Sequence, residues 1–242
     1  PFLSEASRKS ELAALQRAGI NRIYIGLSAD QVHNLGRLRP LLKSLIREAR
    51  DSGISTDLLL GEPSWMEPGH RQNLVSLISK LNGVPFERLH LDLEVEQLGW
   101  PVPDTRLKDW MDTLEAARNA SPWPISLVSH HRWFAPDPSG GVCIPCNVKK
   151  IGIEDVSLMI YTTNTRRSTA LAKGIARAWP EINFKLAQSL EPSLPSANSW
   201  HGTPTQELME MNTNWAEQLS PAGVRGVEWQ DWNAHPLSGR QE

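Results

Sequence analysis

The sequence predicts an α/β fold, a (β/α)8 TIM barrel lacking or truncated at its first strand, and three observations carry that prediction. Short apolar strands alternate with amphipathic helical stretches along all 242 residues, with no composition break, repeat or low-complexity tract. Such alternation builds a parallel sheet through right-handed crossovers. Seven strand-like segments are visible and a helix-like segment precedes the first, so an eighth strand upstream of Pro1 would complete a barrel. No G-x-G-x-x-G or Walker-type loop supports the competing doubly wound sheet as a nucleotide binder. The length suits a single domain over residues 1–242.

The elements follow in order. "PFLSEASRKSELAALQRAG" opens in what reads as a strand exit and a helix over about residues 4–18, as if a segment upstream had been removed. "NRIYIGLS" (21–28) is a strand, and "DQVHNLGRLRPLLKSLIREARDSG" (30–53) reads as one helix closing at Gly53. "STDLLLGEP" (55–63) and the helix "RQNLVSLISKLNG" (71–83) come next, then the strand "RLHLDLEVEQ" (88–97) and the helix 104–120. "PISLVSHH" (124–131) is a strand followed by a long Pro/Gly-rich excursion. "DVSLMIYTT" (155–163), the helix 165–179, "NFKLAQSLEP" (183–192), the helix 204–220 and "GVRGVEWQDW" (223–232) complete the series.

The segment 88–97 carries the chemistry. His90, Asp92, Glu94 and Glu96 alternate with Leu89, Leu91, Leu93 and Val95, so a strand here shows ionisable groups on one face and aliphatics on the other. In a barrel the aliphatic face meets the outer helices, while the other face points inward and, near the strand's C-terminal end, lines the active site. Carboxylates inside a barrel are costly unless paired or protonated. A structural ion-pair network is the plain alternative; three acids on one strand favour catalysis. Residues i and i+2 lie roughly 6.6 Å apart on a strand, so Asp92 sits one layer below Glu94. Two carboxyls that close resist joint ionisation, which raises one pKa and keeps a proton on a general acid. Glu96, at the rim, is expected to bind substrate.

Composition narrows the partner. A net charge of −2 offers no field for nucleic acid. No apolar run reaches the length of a membrane span, and no signal-peptide pattern opens the chain. Ten tryptophans accompany only two tyrosines and four phenylalanines, and several sit outside helix cores, among them Trp65, Trp100, Trp133, Trp200, Trp229 and Trp232. Flat rings in loops suit sugar faces, so a carbohydrate substrate is expected. Cys143 and Cys146 could close a small disulfide in an extracytoplasmic (periplasmic or secreted) protein. The redox alternative is set aside because the pair is not expected to open a helix after a strand. No H-x-H, H-E-x-x-H or second cysteine pair points to a metal, and no cofactor motif is present. No G-x-S-x-G elbow supports a serine hydrolase.

"ERLHLDLE" (87–94) resembles the D-x-x-D-x-D-x-E strand motif of family 18 glycoside hydrolases, the chitinase-like (β/α)8 enzymes, with Glu87 and His90 in place of aspartates. "LMIYT" (158–162) is similar to that family's M-x-Y-D, with Thr162 replacing the aspartate, and "GVEWQDW" (226–232) places Trp229 where the family sets a tryptophan under the central sugar. The resemblance implies a substrate-assisted mechanism in which Glu94 protonates the leaving oxygen while Asp92 and Tyr161 orient an acetamido group. This is an exception to the two-carboxylate scheme.

A two-carboxylate route remains open. An acid on barrel strand four with a nucleophile on strand seven would pair Glu94 with Glu191, although counting from Gln188 puts Glu191 on the opposite face. Glu62 shares the parity of Leu58 and Leu60. Ser28, His131, Asn164, Gln188, Asp231 and Trp232 stand at predicted strand exits as candidate sugar ligands beside Glu62, Trp65 and Trp229. His130 and His131 should point to opposite faces, so only one should enter the site. Two function classes follow: a glycoside hydrolase with Glu94 as acid, or an inactive barrel that binds glycans or scaffolds a polysaccharide-handling assembly.

Overall fold

The computed structural model describes residues 2–136 and 141–239; part of the Pro/Gly-rich excursion, at 137–140, lies outside them. Seven strands form one all-parallel sheet in the order β1 to β7: β1 (Arg22–Gly26), β2 (Ser55–Leu60), β3 (Leu89–Asp92), β4 (Ile125–His130), β5 (Asp155–Met159), β6 (Asn183–Ser189) and β7 (Val224–Gln230). The sheet is an open TIM barrel. Among the described residues β1 and β7 each pair on one side only, and an opening lies between them.

Alternation sorts every strand. Leu58, Leu89, Leu91, Leu127, Val156, Leu158, Phe184 and Leu186 are fully buried against the helices outside. Those helices are α1 (Glu5–Arg17), α2 (Ala29–His33), α3 (Leu35–Asp51), α4 (Arg71–Leu81), α5 (Asp104–Ala120), α6 (Ile144–Ile151), α7 (Thr165–Ala178) and α8 (Thr205–Leu219). Burying a Leu- or Phe-sized side chain contributes about 1.5–3 kcal/mol, so this outer seam is a large favourable contribution to stability.

The inner face is polar in its lower layer, and its charged side chains are paired. Arg22 holds Asp57 through bonds of 2.6 and 2.8 Å, and Arg88 pairs with Asp155. Lys185 Nζ lies 2.7 Å from Glu228 Oε1 and donates to Tyr24 Oη at 2.9 Å, while the Tyr24 hydroxyl donates to the same carboxylate. His90 and Ser126 share a 2.8 Å hydrogen bond. Burial raises the Glu228 carboxyl, but the charges of Lys185 and His90 and the hydrogen bonds from Lys185 and Ser157 together outweigh it, and the net shift is downward.

Three local expectations change. The predicted helix 30–53 divides at Asn34, whose backbone leaves helical geometry while its side-chain Nδ2 donates to the Asp30 carbonyl at 2.9 Å. The predicted strand 88–97 ends at Asp92, and Val95–Leu98 form a 3-10 turn. Cys143 and Cys146 do open a helix: Cys143 is the N-cap of α6 and is bonded to Cys146. Distance in sequence hid this, because α6 follows β4 only after the long excursion. Among the described residues no helix is long and apolar enough to cross a membrane.

Candidate active site at the barrel mouth

Five strand ends converge at the C-terminal mouth. The inner series of β3 (Arg88, His90, Asp92) continues through extended Glu94, and the following turn brings Glu96 back above it. β4 contributes His130, β5 runs on to Tyr161, β6 to Glu191 through Lys185, Ala187 and Ser189, and β7 ends in Gln230. Ala187 is paired with Glu228 and Ser189 with Gln230, which fixes these residues on one face.

In contrast to the layer below, among the described residues no cation pairs with this layer's carboxylates. Asp92 Oδ1 and Glu96 Oε1 are buried and make no hydrogen bond with another described residue. Burial first, then the charges of Glu96 and Glu191, raises the Asp92 carboxyl to about 6. Burial again leads for Glu94, followed by Asp92 and Glu96, and brings it to about 7 despite the opposing hydrogen bond from Gln97. Carboxyl repulsion, the cause expected from the sequence, therefore ranks second. Glu96 Oε2 accepts from Trp133 Nε1 at 3.1 Å.

A short polar relay joins the two sides of the mouth. The Tyr161 hydroxyl donates to Gln230 Oε1 at 2.6 Å, and Gln230 Nε2 donates to Glu191 Oε1 at 3.4 Å. Glu191 Oε2 accepts from Ser189 Oγ at 3.4 Å. Burial, then Asp92, Glu94 and Glu191, pushes the Tyr161 phenol up, so it stays a donor across the neutral range.

Close backbone approach sets part of this geometry. A Cβ at Gly61, just beyond β2, would stand 2.6 Å from the Asp92 carbonyl oxygen and 2.9 Å from its Cβ. Only a residue without a side chain lets β2 exit this tightly against Asp92.

From Glu94 a cleft of about 1020 Å³ runs across the ends of β4 and β5, lined by Trp100, His130, His131, Arg132, Trp133, Tyr161 and Arg167 among others. That is at the upper end of ligand-pocket sizes, roughly 300–1,000 Å³. Trp100 is 57% exposed, with its ring edge-on to Trp133 at 5.8 Å, and Trp133 in turn meets buried Trp110 at 6.4 Å.

The other expected ligands are placed as follows. His130, not His131, continues the inner face of β4; His131 begins a 3-10 turn that stacks it on His130 at 4.4 Å, so both line the cleft. Its Nδ1 donates to the Met159 carbonyl at 2.9 Å. Gln188 faces outward, wholly buried, donating to the Ile160 carbonyl and accepting from Trp200. Counting from it as an inner residue is what put Glu191 on the wrong face. Trp229 also faces outward, because Glu228 and Gln230 take the inner positions; it packs on Trp215 and donates to Asn212 of α8. Trp232 is stacked on His235 and donates to Glu11 of α1.

Ser28 caps α2, Asn164 caps α7, and Asp231 and Glu62 cap short turns. Trp65 lies in the turn Pro63–Met66, partly buried against the outer core. These residues are tied to backbone or packing. Glu191, Gln230, Gly61 and Arg132 join the site instead, and the alternation of Lys185, Ala187, Ser189 and Glu191 is the signal that would have found the first. Among the described residues no group of three His, Cys, Asp or Glu side chains is arranged to hold a metal ion.

Neither a scan against protein-family models nor a search of curated proteins finds a match. Solved structures do match. A GH128 (subgroup I) endo-β-1,3-glucanase of Amycolatopsis mediterranei, in complex with laminaripentaose, superposes with a TM-score of 0.53 at 12% identity, covering 95% of this chain and 88% of its own. A GH5_18 protein of Streptomyces cattleya, in complex with GlcNAc, gives 0.53 at 16% identity, over 95% of this chain and 67% of its own. QR15, an aldolase, gives 0.56 at 10% identity, over 95% and 86%. The neighbours are enzymes of more than one chemistry, and at such identities the likeness establishes the fold alone.

Proposed function

We propose that the protein is a glycoside hydrolase in which Glu94 is the general acid/base and Glu191 the nucleophile. The observation carrying this reading is the contrast between the two polar layers: the lower is neutralised pair by pair, while Asp92, Glu94 and Glu191 meet at the mouth with no cation paired to them among the described residues. Isolated carboxylates are expensive to bury, and a Glu poised at about 7 is suited to give and retake a proton. The cleft beside it carries exposed tryptophan, and the GH128 and GH5_18 neighbours share the fold.

In this mechanism protonated Glu94 donates to the glycosidic oxygen as the Glu191 carboxylate attacks the anomeric carbon, expelling the leaving group as an alcohol. Glu94, now ionised, removes a proton from water, which cleaves the glycosyl ester and restores both side chains. Tyr161, through Gln230, orients Glu191, and burial, then the Asp92 charge, keeps the proton on Glu94.

A second reading is substrate assistance, in which Asp92 and Tyr161 orient an acetamido group whose oxygen replaces Glu191. Its support is Asp92, raised to about 6 and without a protein partner on Oδ1. The two separate in Glu191→Ala with added azide. Recovery of activity with a glycosyl azide product supports the nucleophile. Full activity without azide, on N-acetylated substrates only, supports assistance. A parent that binds glycans and cleaves none removes the enzyme reading and leaves a binding barrel. The Cys143–Cys146 bond suits an extracytoplasmic setting, where such bonds persist.

A further inference from the structure

The cleft leaving Glu94 ends in a concentration of positive charge that no described residue neutralises. Arg132 and Arg167 both line it, and neither forms an ion pair with a carboxylate among the described residues. Arg132 is held in place: its Nε donates to His130 Nδ1 at 3.1 Å and its guanidinium lies 4.5 Å above the Trp100 ring. Arg167 sits in the first turn of α7, which contains Arg166 as well and no acidic residue. Cations at a helix N-terminus oppose the macrodipole, whose positive end lies there. A sequence selected for stability alone would put Asp or Glu in that turn. The unfavourable placement adds to the local positive potential and leaves it facing the cleft.

The histidines report the same field. His130 is lowered to about 4 by burial, then by His131 and Arg132. His131 is lowered by burial and by both Arg132 and Arg167, although its bond to Met159 opposes this. Both rings are therefore neutral near pH 7 and available as hydrogen-bonding partners rather than as extra cations. The cleft combines the Glu94 carboxyl, aromatic rings and two guanidinium groups, of which Arg132 is held by His130 and Trp100.

We propose that the Arg132–Arg167 end of the cleft is a subsite for an anionic sugar residue, so that the substrate is an acidic glycan bearing carboxylate or sulfate groups. A planar guanidinium matches either anion through paired N–H donors, and Trp100 offers the adjacent ring face. The anion sits at the arginine end, and the scissile bond lies over Glu94. This rests on the glycosidase reading for the position of the scissile bond but not for the charge preference.

The test is calorimetric titration of Glu94→Gln, which holds substrate uncleaved, with three probes of equal length: a galacturonate hexamer, a heparin-derived hexasaccharide and neutral laminarihexaose. One acidic probe should bind at least about tenfold more tightly than the neutral one, and the margin should shrink as salt shortens the screening length to about 3–8 Å. Which acidic probe binds distinguishes carboxylate from sulfate. Arg132→Gln/Arg167→Gln should erase the preference, while Arg166→Gln, outside the cleft, should keep it; unchanged circular dichroism shows that each variant is folded. Equal binding of acidic and neutral probes, a preference that survives the double substitution, or no binding at all overturns the proposal. Cleavage of the neutral probe alone by the parent also overturns it while sparing the glycosidase reading. Acidic binding without cleavage does the reverse.

Discussion

At the residue scale the proposed chemistry rests on Glu94. Replacing it by Gln keeps the shape and removes the transferable proton, so hydrolysis should fall by about 10²–10⁴-fold while glycan affinity stays within a few-fold; steady-state rates beside titration calorimetry check this. The acid must be protonated, so kcat/KM should decline on an alkaline limb near the Glu94 value of about 7. Asp92→Asn removes a like charge that raises Glu94, and that limb should then move to lower pH; a limb that stays in place shows the pair is uncoupled. Gly61→Ala tests the close approach at Asp92. Overpacking there costs about 1–3 kcal/mol and should displace Asp92, lowering kcat with the Tm. Glu94 and Asp92 were legible because acids that alternate with aliphatics must share one face, and Tyr161 only through the resemblance of "LMIYT" to the M-x-Y-D motif. Glu191 was not, since one wrong parity at Gln188 reverses every inference drawn along β6.

At the element scale, alternation held wherever a strand was long enough to express it and failed at strand ends. β4 and β3 both give way to 3-10 turns, which is how His131 joins His130 and Glu96 returns to the site. Period-2 counting has no information about where the period stops. Trp229 shows the same limit, since its neighbours Glu228 and Gln230 decide its face. The Cys143–Cys146 bridge ties the N-cap of α6 to its own first turn. Closing so short a loop is worth about 2 kcal/mol in the chain-entropy view, so reduction should lower Tm by roughly 4–8 °C in a calorimetric scan with and without dithiothreitol. A larger fall would mean that α6 itself unfolds.

At the scale of the whole molecule, the site costs stability. Asp92 and Glu94 are raised by burial and like charge in the folded state. Their contribution is therefore fully favourable below their unfolded values of about 3.9 and 4.3 and is lost as pH rises through about 6 and about 7. Glu228 is lowered, so its contribution is present above its unfolded value and lost at acid pH. Together they place the most stable range on the mildly acidic side of neutrality. Asp92→Asn and Glu94→Gln should each raise Tm at pH 8 and change it little at pH 4. A thermal scan across pH that shows no such divergence would contradict the burial of these carboxyls.

The sequence by itself determined the class of fold and the strand whose inner face leads to Asp92 and Glu94, because burying apolar side chains at a fixed period is a local requirement written into neighbouring residues. Only the tertiary structure decided which polar layer is neutralised and which is not. Whether Lys185 meets Glu228, or Glu191 meets Gln230, depends on strands brought together from 43 and 39 residues apart. Charge pairing is a property of distance in space, and no periodicity along the chain encodes it.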